Sequence, residues 1–577
     1  MLKETKRIQV RDLKVGDCIK SKDEAEGVTF KKVLDVFPST VTSDRQVHLV
    51  FKNGSSLSCS DRHPIMVDRG LSKYVEVLPR DLLPADLVIT EFGFTNLDYV
   101  SNSNFDPNYL DLTVEETHTF FVSKEVDTEM ILTHNSQGAV RGASACFYWP
   151  LFHMEFETLI ELKNSKGTPE TRLTNVDYGV QLNKTMYERL LSKGDITFFS
   201  PEEVPDLYEA FFGPAEIFKA LYEKYENDPR KTKKTLPAIE VFTKLVSERY
   251  GTGRIYIMNV DHANTHGSYY EPVYLGNLCS EIALPTTPMG NDESLIALCT
   301  LSAVNFGKVQ SEPEMAEACE MAVRALDELL DYQDYPNEAA RRHTKLYRPL
   351  GVGIIGLAHD LTINNLKWGN PTSWQAVEDK TESMAYYLTR TSVDLAEWKG
   401  ACTKRTKFHD GVFPMDTCKG STLPKYDWGP LKDRARAVGI RNGSLMTMMP
   451  SETSSQLANE TSGIDAPKAL VTAKGSKDGR ADQLVPDYAK YGYRYELAWD
   501  IPVSDYLNMY AGIGKYTDQS MSVNTNYNPN KGEITIKMLL QDLLQAYSLG
   551  IKNLYYSNVF TDVVEEESGC EGGGCKL

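Results

Sequence analysis

The feature that most constrains this chain is a change of texture near residue 135. Up to that point short β-type runs alternate with turn residues: Val28–Phe37, Gln46–Lys52, Leu87–Ile89, Leu110–Val114, Thr119–Ser123 and Met130–Leu132. This pattern predicts a compact all-β domain over residues 1–135. After Ser136 strands alternate with long helices, the signature of an α/β domain. Ala318, Met321, Ala322, Ala325, Leu326, Leu329 and Leu330 form one helical apolar stripe. A second helix runs from about Ile536 to Ser548, stops at Gly550 and leads into an apolar strand, Ile551–Tyr556. No internal repeat and no Pro- or Ser-rich linker marks the junction, which is odd for two ordinary domains.

Composition narrows the class. At about 150 residues per domain, 577 residues allow roughly three or four domains. A hydrophobic share of 41% and a charged share of 25% exclude disordered and fibrous classes. With 62 basic against 80 acidic residues the net charge is −18, which repels phosphate backbones and argues against a nucleic-acid partner. The mixed-charge start, Met1 to Arg7, leads into no apolar core, and no stretch approaches the about 18 apolar residues of a membrane helix. A cytoplasmic protein without membrane contact is expected. Ten cysteines, none in C-x-x-C, are too dilute for a disulfide framework, so most are expected to be reduced and buried.

Held in a strained turn, His134-Asn135-Ser136 has a specific chemistry. The Asn135 carboxamide can attack its own carbonyl carbon, close a succinimide and break the bond to Ser136. His134 can protonate or orient the leaving peptide, and the Ser136 hydroxyl can accept an acyl group. The tripeptide is common by chance, so its weight comes from context. Val10 to Cys18, Ser60-Asp61-Arg62-His63 within Gly54 to Ile65, and Asp111-Leu112-Thr113-Val114 with the following His118-Thr119-Phe120 lie upstream in order. Together with His134-Asn135 they resemble the sequence blocks of inteins over nearly all of residues 1–135. The resemblance implies a Hint-type fold in which His63, in the block opened by Ser60, activates an upstream scissile peptide. Asp111 and His118 would assist acyl transfer, and His134 with Asn135 would cleave at Ser136. No nucleophilic Cys or Ser opens the chain and no endonuclease-sized insert is present, so a C-terminal fragment of a split mini-intein is expected. The bland reading makes His63 and His118 ordinary histidines of an unrelated β domain.

Downstream, Asn277, Cys279 and Glu281 stand at alternate positions of Asn277 to Pro285. On an extended strand they share one face, gathering an amide, a thiol and a carboxylate. The run Leu295 to Leu298 leads to Cys299, whose thiol could approach the same place. Cys570 and Cys575 sit C-x4-C on an acidic, Gly-rich tail, expected to be mobile and suited to disulfide exchange. Zinc would need two further ligands, and none is evident. Tyr555 and Tyr556, at strand spacing, are expected to face opposite ways. Gly351 to Gly356 fits G-x-G-x-x-G, but Arg348-Pro349-Leu350 precedes it instead of an apolar strand, so no dinucleotide site is read there. His262 and His266 lack a third ligand, and no metal is expected.

These residues, with Ser136 to Gly142, Gly253 to Ile257, Asp331 to Pro336, Met449 to Gln456, Asn524 to Tyr527 and Leu554 to Tyr556, resemble the large (alpha) subunit of class I ribonucleotide reductase across essentially all of residues 136–577. The resemblance implies the C-terminal portion of a ten-stranded α/β barrel over 136–558 and a flexible redox-active tail over 559–577. Cys279 would become the thiyl radical that takes the ribose 3'-hydrogen of a ribonucleoside diphosphate, Glu281 the base on the 3'-hydroxyl, and Asn277 a hydrogen-bonding partner of the substrate. Cys299 would be half of the reducing thiol pair. Tyr556 and Tyr555 would relay the radical from a metal-containing small subunit, and Cys570 with Cys575 would re-reduce the site, recharged by thioredoxin or glutaredoxin. Ser451, Glu452, Thr453, Ser454 and Ser455 would cradle the diphosphate, where N–H and O–H donors suit oxyanions. Gln137 and Arg141 would read dNTP or ATP effectors in a specificity loop, in which Ala139 and Ala143 replace the more usual Gly. No cofactor is expected on this chain itself, and the mature subunit is expected to be a homodimer.

The two resemblances fit together, because removing residues 1–135 and joining Ser136 to a separate upstream chain would rebuild an uninterrupted reductase. That upstream chain would bring the short intein N-fragment, the partner thiol of Cys299 and most of the effector site, so this chain alone is expected to be catalytically silent. The alternative is a split subunit that never splices, with the β domain serving only to dock the complementary chain.

Overall fold

A computed structural model describes residues 13–14, 18–23, 27–38, 46–53, 55–60, 63, 65–68, 75–77, 79, 82–90, 94–103, 110–114, 119–122, 131–134, 144–164, 172–173, 176–290, 293–335, 337–418, 424–476, 479–561 and 567–568. The chain divides into two compact units, residues 1–143 and 144–577.

Within the first unit the described elements are strands. The strand Gly27–Pro38 lies between Cys18–Asp23 and Leu110–Val114, antiparallel to both. Gln46–Phe51 lies between Ser56–Ser60 and Leu97–Ser103. Its hairpin to Ser56–Ser60 closes because the Asn53 side chain accepts the Ser55 N–H at 3.1 Å, the local turn chemistry for which Asn is selected. A third sheet runs Thr119–Val122, Ile131–His134, Ile65–Asp68, Leu87–Ile89, Phe94–Thr95, with Val75–Val77 beside Ile65–Asp68. Alternate residues Val47, Leu49 and Phe51 point inward with Leu57, Ile65, Val67 and Val88 to make the unit's core. The period-2 runs therefore become strands close to where they are expected. His134 differs in being the last residue of a strand rather than part of a turn.

In the second unit Ala145–Pro150, Val176–Leu182 and Ile255–Asn259 are parallel neighbours, and Asn553–Leu554 joins antiparallel at the Ile255–Asn259 edge. Leu301–Asn305 pairs in parallel with Gly351–Ile355, which bridges to Met446; Met448 bridges to Met521. Thr525–Tyr527 pairs in parallel with Ser557–Val559. Among the described residues these strands form open sheets, without a closed barrel, where the C-terminal portion of a ten-stranded barrel is expected. Gly351–Ile355 is fully buried strand, as its rejection as a phosphate loop requires, and a Cβ at Gly353 would fall 2.5 Å from the Met449 sulfur. The tail, expected to be mobile, is strand-paired at Glu567–Ser568 with Lys474–Gly475.

The helix Glu312–Tyr332 starts at a capping box in which Ser311 and Glu314 satisfy each other's backbone N–H groups. Its buried face is rotated from the expected stripe: Met315, Cys319, Val323, Leu326 and Leu330 are inside, while Met321 and Leu329 are exposed. The reason is Asp327, which reads as a surface residue yet is fully buried. Its carboxylate accepts from Arg348 Nε at 2.8 Å, Arg441 Nε at 3.2 Å and Asn442 Nδ2 at 3.1 Å. Removing one member of such a network strands the opposite charges in a low dielectric. Asp327→Ala should therefore cost about 3–5 kcal/mol in a denaturant titration, whereas Asp433→Ala, at an exposed pair with Arg436, should stay within about 0.5 kcal/mol of the parent.

Candidate active site

Asn277 to Glu281 do not form the strand that their spacing suggests. Leu278 to Ser280 make a turn in which Ser280 N–H donates to the Asn277 carbonyl at 3.2 Å and Ser280 takes a left-handed φ of +65°. The Asn277 side chain drives the turn locally, its Oδ1 accepting the Ile282 N–H at 3.1 Å. Distant elements fix it from outside. Ser522 Oγ donates to the Cys279 carbonyl at 2.6 Å, Ser520 N–H to the Glu281 carbonyl at 2.9 Å, and Tyr148 Oη to the Asn277 carbonyl at 2.9 Å. Asn553 Nδ2 donates to the Ser280 carbonyl. Tyr148 comes this close because Gly276 has no Cβ, which would lie 2.9 Å from the hydroxyl. Through this turn Asn277, Glu281 and Cys299 come together: Asn277 Nδ2 donates to Cys299 Sγ at 3.9 Å, with Glu281 beside both.

Burial sets the proton affinities. Desolvation pushes the Glu281 carboxyl up to about 7, against the stabilising amide of Asn277 and hydroxyl of Ser522. Its Oε2 is buried and accepts no hydrogen bond among the described residues. A carboxyl poised near neutrality with a vacant oxygen can accept a proton from an incoming hydroxyl. Cys299 is exposed as a residue, yet desolvation of its sulfur and the nearby Glu281 charge push its thiol up to about 12. It is a protonated thiol at neutral pH, suited to donating hydrogen and not to acting as a resting thiolate.

An aromatic column adjoins the turn. The strand Asn553–Leu554 ends before Tyr555, and a new strand starts at Ser557. In that break the two tyrosines do not alternate: their rings stack with centroids 3.7 Å apart at 25°. Tyr256 lies 4.9 Å from Tyr555 and 5.9 Å from Tyr556, and its hydroxyl donates to Asp177 Oδ2 at 2.8 Å, a carboxylate also paired with Lys163 at 2.7 Å. Burial, then the Cys279 thiol, then Tyr256 and Tyr556 drive the Tyr555 hydroxyl far above its ordinary range. The Arg254 guanidinium carbon sits 3.6 Å from the Tyr556 ring centroid. Cys146 is a further neighbour, its thiol raised by burial and then by Asp177, with Cys279 also contributing.

Tyr148, Tyr256, Arg254 and Cys146 carry no expected role. Parity was the signal for two of them, since Cys146 and Tyr148 are two apart on one strand, whereas Arg254 lies just before the strand that carries Tyr256. Ser451 and Ser455 are buried at the first turn of the helix Glu452–Leu457, while Thr453 and Ser454 are exposed. Ser451 N–H donates to Ser462 Oγ at 3.3 Å. His262 stacks on His266 at 5.3 Å and meets the Tyr547 carbonyl at 2.8 Å through Nε2; among the described residues no three His, Cys, Asp or Glu side chains form a metal cluster. In the first unit Thr119 pairs with His134 and Thr133 with Ile65, so the strand ending at His134 lies between the segments that follow His118 and His63. Asp111 lies in the sheet built on Gly27–Pro38, opposite Phe37. His118, Asn135, Ser136, Gln137, Arg141, Cys570 and Cys575 lie outside the described residues, as do the side chains of Ser60, Asp111, His134 and Glu452.

The family described as ribonucleotide reductase, barrel domain, matches residues 123–493 and 488–557, and the chain belongs to that family. It is similar to the ribonucleoside-diphosphate reductase subunit alpha of Haemophilus influenzae, 46% identical over 77% of this chain and 61% of the relative. Subunit alpha of reductase 1 from Escherichia coli is 45% identical over 77% of this chain and 62% of that protein. The phage T4 subunit alpha is 38% identical over 73% and 58% respectively. The chain thus spans about three-fifths of the length of the curated relatives it matches. Among the described residues no helix is long and apolar enough to cross a membrane.

The raised Glu281 carboxyl carries a stability signature. Ionising it disfavours the folded state, fully above about pH 7 and not at all below the ordinary value of 4.5. Glu281→Gln should therefore stabilise the chain at pH 8 by on the order of 3 kcal/mol, with the gain shrinking toward pH 5 in parallel urea titrations.

Proposed function

We propose that this chain, joined to an upstream segment of the kind its relatives carry, forms the alpha subunit of a class I ribonucleoside-diphosphate reductase. The observation that carries the reading is the convergence of the Cys279 turn, the half-titrated Glu281, the Cys299 thiol and the stacked Tyr555 and Tyr556. Tyr556 and Tyr555 pass the oxidising equivalent to Cys279, whose thiyl takes the 3'-hydrogen of the ribose. Glu281 removes the 3'-hydroxyl proton through its vacant oxygen, and Asn277 holds the substrate hydroxyls. Cys299 and a partner thiol give up two electrons as they join in a disulfide, which Cys570 and Cys575 reduce in turn. Ser451 to Ser455, with Glu452, hold the diphosphate, and Gln137 and Arg141 answer to the bound dNTP or ATP. The metal that generates the radical resides in the small subunit, thioredoxin or glutaredoxin recharges the tail, and the working subunit is a homodimer in the cytoplasm.

For residues 1–135 we propose a Hint-type, C-terminal split-intein fragment. The ordered blocks and the register that sets the His134 strand between the His63 and His118 segments support it. Asn135 cyclises, Ser136 accepts the upstream acyl group, and the reductase backbone is made continuous. The barrel-domain match starting at residue 123 favours a second reading, in which residues before Ser136 already belong to the reductase and the β unit only docks a complementary chain.

Two experiments decide. Mixing with the complementary chain should release residues 1–135, seen as a mass loss that Asn135→Ala blocks; turnover with both chains at full mass supports docking instead. In the assembled enzyme Cys279→Ser should abolish reduction. Glu281→Gln should lower kcat by about 10²–10⁴, and parent kcat should rise with pH through about 7 as the base form fills. A flat pH profile, or turnover without Cys279, contradicts the reading.

A further inference from the structure

The segment Ile551 to Ser557, which carries the stacked tyrosines, is held largely through its backbone, and two buried cations contribute most of the unusual contacts. Lys552, 5% exposed, donates from Nζ to the carbonyls of His266 at 3.2 Å, Thr517 at 2.9 Å and Asp518 at 2.9 Å, and also to that of Gln519. Arg249, 6% exposed on the helix Ala238–Thr252, donates to the carbonyls of Tyr555 at 2.7 Å and Tyr556 at 3.3 Å, and also to that of Ile255. Buried cations ordinarily answer to a carboxylate. Here the Asp518 carboxylate near Lys552 is engaged by the Leu445 and Met446 N–H groups, and both cations act on main-chain oxygens. The arrangement is costly: desolvation lowers Lys552 below the usual lysine range and Arg249 to about 10.

The contacts join three pieces. Lys552 ties the relay segment to Thr517–Gln519; the next residues of that loop, Ser520 and Ser522, hold the Glu281 and Cys279 carbonyls. Arg249 grips both tyrosine carbonyls from the opposite element. Neither side chain is a hydrogen-bond partner of Glu281, Asn277 or Cys299 in the site.

We propose that Arg249 and Lys552 are positioning residues that set the Tyr556–Tyr555–Cys279 geometry, a role that rests on the relay reading above. Transfer along such a path depends steeply on placement, and a shift near 1 Å can cost about 10²-fold.

The test uses the assembled enzyme, this chain joined to its upstream segment together with a class I small subunit. Lys552→Met should lower kcat by roughly 10²-fold with KM for the ribonucleoside diphosphate within about two-fold of the parent. Arg249→Lys, which keeps the charge but loses the guanidinium's forked grip on the Tyr555 and Tyr556 carbonyls, should lower kcat by about 10-fold, also without a change in KM. Methylammonium, small enough for the carbonyl cage, should restore part of the turnover of Lys552→Ala. Should Lys552→Met not fold, Arg249→Lys carries the same test. Folded variants with parent kcat, or a loss seen only in KM, overturn the inference alone. A parent enzyme that reduces no nucleotide overturns the relay reading and the inference with it.

Discussion

The left-handed turn at Ser280 is the constraint on which the rest of the site depends. A residue with a Cβ held at positive φ costs roughly 1–3 kcal/mol and persists only when its surroundings over-determine it. They do so here: the carbonyls of four of the five residues 277–281, Asn277, Cys279, Ser280 and Glu281, accept donors from Tyr148, Ser522, Asn553 and Ser520. Because these donors come from distant parts of the second unit, the turn forms only when that unit folds as a whole. Its consequence is chemical, since a strand would have left Glu281 one step further along a flat surface, whereas the turn buries the carboxyl and brings its proton affinity to neutrality.

The same dependence on distant partners explains what was legible in the sequence. The period-2 runs of the first unit and the helix Ile536–Ser548 were, because their patterns are local and their caps are written beside them; the Thr535 hydroxyl accepts from Met538 N–H at 3.3 Å and Gly550 takes φ +79°. That Asn277, Glu281 and Cys299 meet was legible, because the first two lie four residues apart and Cys299 follows at the end of the next apolar run. Their geometry was not, since the turn is imposed by Ser520, Ser522 and Asn553. The tyrosine stack was misread for a related reason: strand parity applies only while the strand continues, and it stops at Leu554. Asp327 misled the helix assignment because its two arginine partners lie 21 and 114 residues away.

The two units pose different physical problems. The first builds a modest aliphatic core from short antiparallel strands, with the His134 strand inside a sheet, between Thr119–Val122 and Ile65–Asp68. The second commits buried charge repeatedly, in Asp327 with its arginines, Asp177 with Lys163, and the two cations on the relay segment. Buried ionic groups are poor stabilisers on balance, but they fix geometry because each has few acceptable arrangements. Membership in the reductase barrel-domain family accords with that second unit, which lies within the matched residues for most of its length.

The most direct measurement is turnover by the assembled enzyme on a ribonucleoside diphosphate carrying deuterium at C3'. If Cys279 takes that hydrogen, kcat/KM falls relative to the protium substrate. Equal rates for the two substrates, in an enzyme that still turns over with Cys279→Ser, would show that the thiol on the Ser280 turn is not the group that begins the reaction.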